Sequence, residues 1–203
     1  MNPFDLSNKV ICVTGASSGI GRQCAVSCSR MGATVVLLAR NEQRLHETLS
    51  IMDNPDKHVI IPVDLTEYAT VELVVKNIVS QVGRISGVLH CAGISTTLPL
   101  KLVTPEKLDE FFQANVFSAY NLTREVCKMG NFSKEGGSIV FFSSVMGKVG
   151  ENGKSLYGMT KGALVAGTRS LACELAKKKI RVNTVSPGVV ITPINYNLPH
   201  IAD

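Results

Sequence analysis

The chain has 203 residues, 45% of them hydrophobic and 18% charged, and its 21 Lys and Arg against 16 Asp and Glu give a formal net charge of +5. So much apolar content with so little charge excludes a disordered chain, and 17 Gly and 8 Pro without a period exclude collagen-like and low-complexity classes. The length fits one domain over residues 1–203, and the mild positive balance suits an anionic small ligand while giving no argument for nucleic acid.

The six cysteines, at 12, 24, 28, 91, 127 and 173, form no C-x-x-C pair and have no His at zinc-finger spacing. Most sit in apolar runs, where free Cys acts as a small hydrophobe. They read as reduced thiols, which points to a cytoplasmic protein without a metal site. Met1–Val10 shows no basic stretch followed by an apolar one, so no secretory leader is expected. The longest stretch free of Asp, Glu, Lys and Arg is Val182–Ala202. It contains Pro187, Pro193 and Pro199 and would make a poor membrane helix.

Strand and helix patterns alternate along the chain. Lys9–Thr14 reads as a buried strand ending at Gly15, and Gly19–Met31 as a helix stopped by Gly32. Thr34–Ala39 is a second strand, and Asn41–Met52 a charged helix with Asn41 as N-cap. His58–Val63 is a third strand. Thr66–Val82 is an amphipathic helix opened by Thr66 and closed by Gly83. Ile85–His90 is a fourth strand, Thr104–Ala114 a helix, and Asn115–Met129 a longer helix beginning at Asn115. Ser138–Phe142 is a fifth strand, Ser155–Lys178 a long helix, and Ile180–Val185 a sixth strand. Apolar strands separated by helices predict an α/β fold, a doubly wound parallel sheet with helices on both faces.

Thr14-Gly15-Ala16-Ser17-Ser18-Gly19-Ile20-Gly21 lies where the first strand gives way to the first helix. Glycines there permit a tight turn and close approach of a ligand to backbone. The helix N-terminus offers unpaired N–H groups to a pyrophosphate. Farther along, Tyr157 and Lys161 stand at i and i+4 on a predicted helix, hence on one face. A cation held near a phenol favours the phenolate and makes it a usable proton donor and acceptor near neutral pH. Taken alone, the pair reads first as a solvent-facing Tyr–Lys contact. Ser144 precedes Tyr157 at the end of the fifth strand, the side of a doubly wound sheet where ligands bind, with Ser143 as the neighbouring alternative.

The G-x-x-x-G-x-G spacing, with Ser144 followed by Tyr157-x-x-x-Lys161, resembles the short-chain dehydrogenase/reductase family over about Lys9–Thr192. The resemblance implies a Rossmann-type oxidoreductase. Asn115, Ser144, Tyr157 and Lys161 would be catalytic, with Asn115 holding a water that links Lys161 to solvent. Gly15, Ser17, Ser18, Gly19, Ile20 and Gly21 would hold cofactor phosphates. Asp64 and Leu65 would meet the adenine, and Ala92 and Gly93 the ribose. His90 and Cys91 replace the family's usual Asn-Asn. Pro187, Gly188, Val190 and Thr192 would cover the nicotinamide, while Tyr157 and Lys161 would also touch its ribose. Where NAD-preferring relatives carry Asp, this chain has Ala39 followed by Arg40, which predicts NADP, its 2′-phosphate met by Arg40.

The reaction implied is ketone to secondary alcohol or the reverse, with 3-oxoacyl-carrier-protein reduction as the leading assignment. The substrate would be a small ketone or an acyl thioester. Lys177-Lys178-Lys179 would serve an acidic acyl carrier protein, or simply compensate a helix dipole. A cofactor-binding scaffold without turnover is the alternative. Apolar residues on more than one face of the helices at 115–129 and 155–178 predict a homodimer or homotetramer. Similar proteins continue into a substrate loop and a seventh strand. This sequence ends at Asp203, so the resemblance implies a sheet without that strand.

Overall fold

The computed structural model describes residues 2–195. Six strands form one parallel sheet: β1 (Val10–Thr14), β2 (Thr34–Ala39), β3 (Val59–Pro62), β4 (Gly87–His90), β5 (Gly137–Phe142) and β6 (Ile180–Val185). Their spatial order is β3-β2-β1-β4-β5-β6. The helices are α1 (Gly19–Arg30), α2 (Glu42–Leu49), α3 (Tyr68–Val82), α4 (Pro105–Phe112), α5 (Ser118–Val126) and α6 (Ser155–Leu175).

Period-two alternation within the strands explains the layering. Cys12, Val36, Leu38, Val88 and Ile139 face one side, where Val75, Ile78, Leu122, Val126 and Leu164 cover them. Ile11, Val13, Val35 and Leu37 face the other, packed by Ala25, Val26 and Leu45. Both faces of the central strands are therefore buried, which is why they are apolar at nearly every position.

The order reverses between β1 and β4, which pair side by side although β2 and β3 intervene in sequence, with Thr14 level with His90. A crevice opens at such a point, beyond the carboxyl ends of the strands.

The structure corrects several expected boundaries. Thr66 does not open α3. Its N–H and hydroxyl both bond Asp64 Oδ1, at 3.0 and 2.8 Å, so the turn is spent on Asp64 and α3 starts at Tyr68. Asn115 does not begin a helix. It lies inside a π-helical turn, Gln113–Phe117, that carries α4 into α5 without a break. The α-helical part of α6 ends at Leu175, and 176–178 tighten into a 3₁₀ turn. Ile85 stands outside β4, bridged to Phe132.

The second apolar faces are narrower than expected. Leu164, Leu171 and Leu175 of α6 and Val126 of α5 pack into the core. Phe117 and Tyr120 remain 43% and 55% exposed. Among the described residues, no helix is long and apolar enough to cross a membrane. The end of the uncharged Val182–Ala202 stretch, residues 196–202, lies outside the described residues.

Candidate active site

A cavity of about 1730 Å³ occupies the crevice. Its lining includes every predicted site residue except Asn115. Asn115 sits just behind the lining, almost fully buried.

The phosphate loop is held by close backbone approach. Gly15 has φ of +65°, and a Cβ there would come within 2.9 Å of Ala92 N and 3.0 Å of Ala92 Cα. Thr14 Oγ1 accepts a 3.0 Å bond from that same Ala92 N–H, so the ends of β1 and β4 are stitched together. A Cβ on Gly21 would lie 2.2 Å from Gly15 O, so only Gly lets α1 begin so near the strand. Ser18 stands at the α1 N-cap without using its side chain as a cap. The N–H groups of the first helical turn therefore face the cavity unsatisfied by side chain, as an anion site requires. Arg22 braces the loop from behind, donating to Ser17 O at 2.7 Å and to the Glu47 carboxylate at 3.1 Å.

Basic residues gather at the β2 end of the cavity. Ala39, Arg40, Asn41 and Arg44 line it. The Asn41 side chain caps α2 by accepting from Arg44 N–H at 2.9 Å, which brings Arg44 onto the same rim as Arg40. Arg40 lies 3.7 Å from the Asp64 carboxylate and is largely exposed. Partial burial acts to raise the Asp64 carboxyl, but the bonds from Thr66 and the Arg40 charge outweigh it and hold it below its ordinary value. Leu65 is buried beside it. Arg44 escaped the sequence reading. Its signal was the Asn41 N-cap, which fixes the helical phase and so the shared rim.

The strand ends and α6 assemble the polar centre. Ser143 and Ser144 point to different sides of β5's end. The Ser143 hydroxyl donates to Lys161 O at 2.7 Å, a structural bond. The Ser144 hydroxyl accepts from Met146 N–H at 3.2 Å and opens on the same cavity as Tyr157. Between the two serines, it is Ser144 that acts on the Tyr157 phenol. Burial raises the Tyr157 phenol above its ordinary value, and the Ser144 bond works in the opposite direction.

Lys161 Nζ donates to Phe142 O at 2.8 Å and sits 5.7 Å from the centre of the Tyr157 ring. Burial pulls the Lys161 ammonium down to about 8, and Cys91 slightly opposes that. Asn115 Oδ1 accepts from Ile94 N–H at 2.7 Å, while its Nδ2 donates to Ile94 O and Thr160 Oγ1, both at 3.0 Å. A Cβ on Gly93 would meet Asn115 Oδ1 at 2.9 Å and Lys161 Nζ at 3.3 Å. The absent side chain at Gly93 is what lets both groups come so close to its backbone.

Lys154 is a further residue the sequence did not single out. Its ammonium lies 6.0 Å from the Tyr157 ring centre and donates to Thr96 O at 3.1 Å. Pro187 O accepts from Val145 N–H at 3.0 Å, and Gly188, Val190 and Thr192 continue the wall past β6. His90 is buried and stacks on Phe141 with ring centres 4.6 Å apart, its Nε2 paired with Thr123 Oγ1 at 2.9 Å. Burial drives its imidazole down to about 3, so it is neutral. Among the described residues, no group of three His, Cys, Asp or Glu could hold a metal ion.

Lys177–Lys179 stand apart from all this. They precede Ile180, the amino end of β6, whereas the cavity opens beyond the carboxyl ends. The length of β6 separates them from the site, roughly 20 Å at ~3.3 Å per residue. Lys178 also donates to Cys127 O at 3.3 Å.

The comparisons with known proteins agree with this architecture. The sequence matches the short chain dehydrogenase family over residues 9–201. It is 35% identical over 198 residues to the NADPH-dependent aldehyde reductase 1 of Arabidopsis thaliana chloroplasts, covering 93% of this chain and 68% of that one. It is 32% identical over 198 residues to the 3-oxoacyl-[acyl-carrier-protein] reductase of Thermotoga maritima, covering 97% of this chain and 80% of that one. A solved short-chain dehydrogenase from Streptomyces avermitilis superimposes with a TM-score of 0.84 at 32% identity, over 92% of this chain and 68% of that one. A Rossmann-type sheet, a glycine loop at its switch point and a Ser–Tyr–Lys centre beyond the strand ends thus meet in one crevice, and the chain belongs to the short-chain dehydrogenase/reductase family of oxidoreductases.

Proposed function

We propose that the protein interconverts a ketone and a secondary alcohol with NADP(H), and that its substrate is a 3-oxoacyl thioester. The single observation that carries the reading is the Ser144–Tyr157–Lys161 arrangement opening into the same cavity as the phosphate loop. The residues fit a nicotinamide dinucleotide. Gly15 and Gly21 let the loop backbone turn tightly against β4 and α1 where it lines the cavity, and the α1 N-terminus faces the same cavity.

Gly15, Ser17, Ser18, Gly19, Ile20 and Gly21 hold the phosphates in this reading. Asp64 and Leu65 meet the adenine, Ala92 and Gly93 the ribose, and Pro187, Gly188, Val190 and Thr192 the nicotinamide side. When bound, the nicotinamide supplies or accepts a hydride at the substrate carbon. Arg40 and Arg44 face the 2′-phosphate, with no carboxylate at Ala39 to repel it. The aldehyde reductase relative, described as NADPH-dependent, supports the same preference.

Tyr157 donates its proton to the carbonyl oxygen in reduction and recovers it from the alcohol in oxidation. Ser144 holds that oxygen in place. The Lys161 charge, 5.7 Å from the centre of the Tyr157 ring, favours phenolate over phenol. That opposes the upward pull of burial on Tyr157. Asn115 braces the segment carrying Gly93 and Ile94 and lies beside Lys161, where a water can pass protons outward.

Met146, Val189 and Ile194 flank the cavity and suit an acyl chain. The Thermotoga relative is named for 3-oxoacyl-carrier reduction. Lys177–Lys179 do not supply a docking surface at the mouth, so a carrier protein would meet a different face. Phe117 and Tyr120, exposed on adjacent turns, are the surface we assign to a homo-oligomer. The test is NADPH oxidation with acetoacetyl thioesters beside a panel of simple ketones and aldehydes. Activity confined to the panel would remove the thioester assignment. Binding of NADPH without turnover on any carbonyl would favour a scaffold.

A further inference from the structure

The phosphate loop is tied from behind to α2, the helix that carries Arg44. Thr48 lies in the last turn of α2 and is fully buried, as is Ala16 of the loop. The Thr48 hydroxyl donates to Ala16 O at 2.9 Å and shares its proton with Arg44 O at 3.1 Å. Beside it, the Arg22 guanidinium joins Ser17 O at 2.7 Å to the Glu47 carboxylate at 3.1 Å. Two consecutive residues of α2, Glu47 and Thr48, thus hold two consecutive residues of the loop, Ser17 and Ala16.

We propose that Thr48 is a positioning residue for the cofactor's 2′-phosphate. By pinning α2 to the phosphate loop, its hydroxyl holds Arg44 where a phosphate monoester on the ribose is met, and so sets a preference for NADPH over NADH. The proposal rests on the NADP(H) reading above.

The pyrophosphate and the 2′-phosphate belong to one molecule, so the groups that meet them must keep a fixed separation. The loop offers one group and Arg44 the other, and both line the cavity. Arg44 stands four residues before Thr48 on the same helix, hence on the same side. With eight residues, α2 is too short to hold its own place and takes it from tertiary contacts. Leu45 supplies one such contact by packing into the core. The ties at Glu47 and Thr48 supply the others. The Arg22–Glu47 pair has side chains 31% and 51% exposed, so water weakens it. The Thr48 bond is dry, and removing it leaves a buried carbonyl short of a donor. The loop has supports besides Thr48. Gly15 lies against Ala92, and Ala16 N–H donates to Leu38 O at 3.4 Å. Without the Thr48 hydroxyl, therefore, the loop stays and α2 shifts. NADH has no 2′-phosphate and does not register that shift.

The test titrates NADPH and NADH, read by their own fluorescence, into the full chain. The proteins are the parent, Thr48→Val, Thr48→Ser, Arg44→Ala and the double variant Thr48→Val with Arg44→Ala. Thr48→Val keeps the shape and loses the hydroxyl. It should weaken NADPH about five- to tenfold, part of the worth of a hydrogen bond to a charged group, and NADH less than about twofold. Thr48→Ser keeps the hydroxyl and should match the parent for both nucleotides. With Arg44 already removed, Thr48→Val should cost NADPH nothing further, because the two residues act as a unit. Equal losses for both nucleotides, a Thr48→Ser protein as weak as Thr48→Val, or additive losses in the double variant would each overturn the proposal. If Thr48→Val does not fold, Glu47→Ala cuts the exposed tie instead. A loss confined to NADPH then supports the proposal, and an unchanged ratio of the two affinities overturns it. A parent that binds both nucleotides equally defeats the NADP(H) reading and this proposal with it. A parent that prefers NADPH, with variants that leave the preference intact, defeats this proposal alone.

Discussion

The Ser143 hydroxyl donates to the main-chain carbonyl of Lys161, tying the end of β5 to the second turn of α6 at 2.7 Å. This bond sets the distance between the strand that carries Ser144 and the helix that carries Tyr157. Two adjacent serines therefore have separable effects. Ser143→Ala should cost about 1 kcal/mol of stability, the net worth of a buried hydrogen bond, and lower turnover only modestly. Ser144→Ala should leave stability within about 1 kcal/mol and lower turnover by ~10²-fold or more. Urea unfolding beside steady-state rates checks both. The reverse pattern would mean that Ser143 is the residue facing substrate.

Lys161 is a stability cost that the site carries. Its ammonium is buried and falls from 10.5 to about 8. The unfolded chain thus binds more protons between those values, and stability rises with pH across that window. Below about 8 the penalty is fully present, of order 3 kcal/mol, and the lost bond to Phe142 O would take back part of the gain on removal. Lys161→Met should therefore be about 1–2 kcal/mol more stable than the parent at pH 7. The gap should close or invert by pH 10. Turnover and cofactor affinity should both fall. Unfolding midpoints at the two pH values decide it, and a variant less stable at pH 7 would contradict the assignment of burial as the cause.

Arg40 and Arg44 share one rim of the cavity. Arg40→Ala should weaken NADPH binding by about 1–3 kcal/mol, the worth of a hydrogen bond to a charged group, and barely touch NADH. Ala39→Asp should act the same way through repulsion and improve NADH relative to NADPH. Fluorescence titration with both nucleotides checks this. Equal loss for the two would show that the arginines do not meet the 2′-phosphate.

Phe117 and Tyr120 are predicted to lie in a subunit interface. Light scattering at micromolar concentration should give a dimer or tetramer, and Tyr120→Glu should shift the population toward monomer. A parent protein that is monomeric throughout would remove the surface from that role.

Much of the fold was legible because it rests on short-range signals. Apolar runs bounded by Gly or a capping residue located the strands, and Asn41 and Thr104 cap α2 and α4 through side-chain bonds to Arg44 and Lys107 N–H. The glycine spacing and the i, i+4 Tyr157–Lys161 pair pointed to the cavity for the same reason. The misses needed tertiary information. A π turn at Asn115 adds a residue to a helical path without changing its composition, so a break was expected instead. Thr66 was read as a cap, whereas Asp64, two residues before it, accepts from both its N–H and its hydroxyl. Lys177–Lys179, read as a carrier-protein surface or as helix-dipole compensation, lie at the amino end of β6, away from the cavity.

The account turns on Tyr157 as the proton donor, and one variant tests it most directly. Tyr157→Phe removes a hydroxyl and little else. NADPH titration should give an affinity within about threefold of the parent, while NADPH oxidation with the best carbonyl substrate should fall ~10²–10⁴-fold, the usual worth of a positioned acid. A Tyr157→Phe protein that binds NADPH and keeps near-parental turnover would contradict the account.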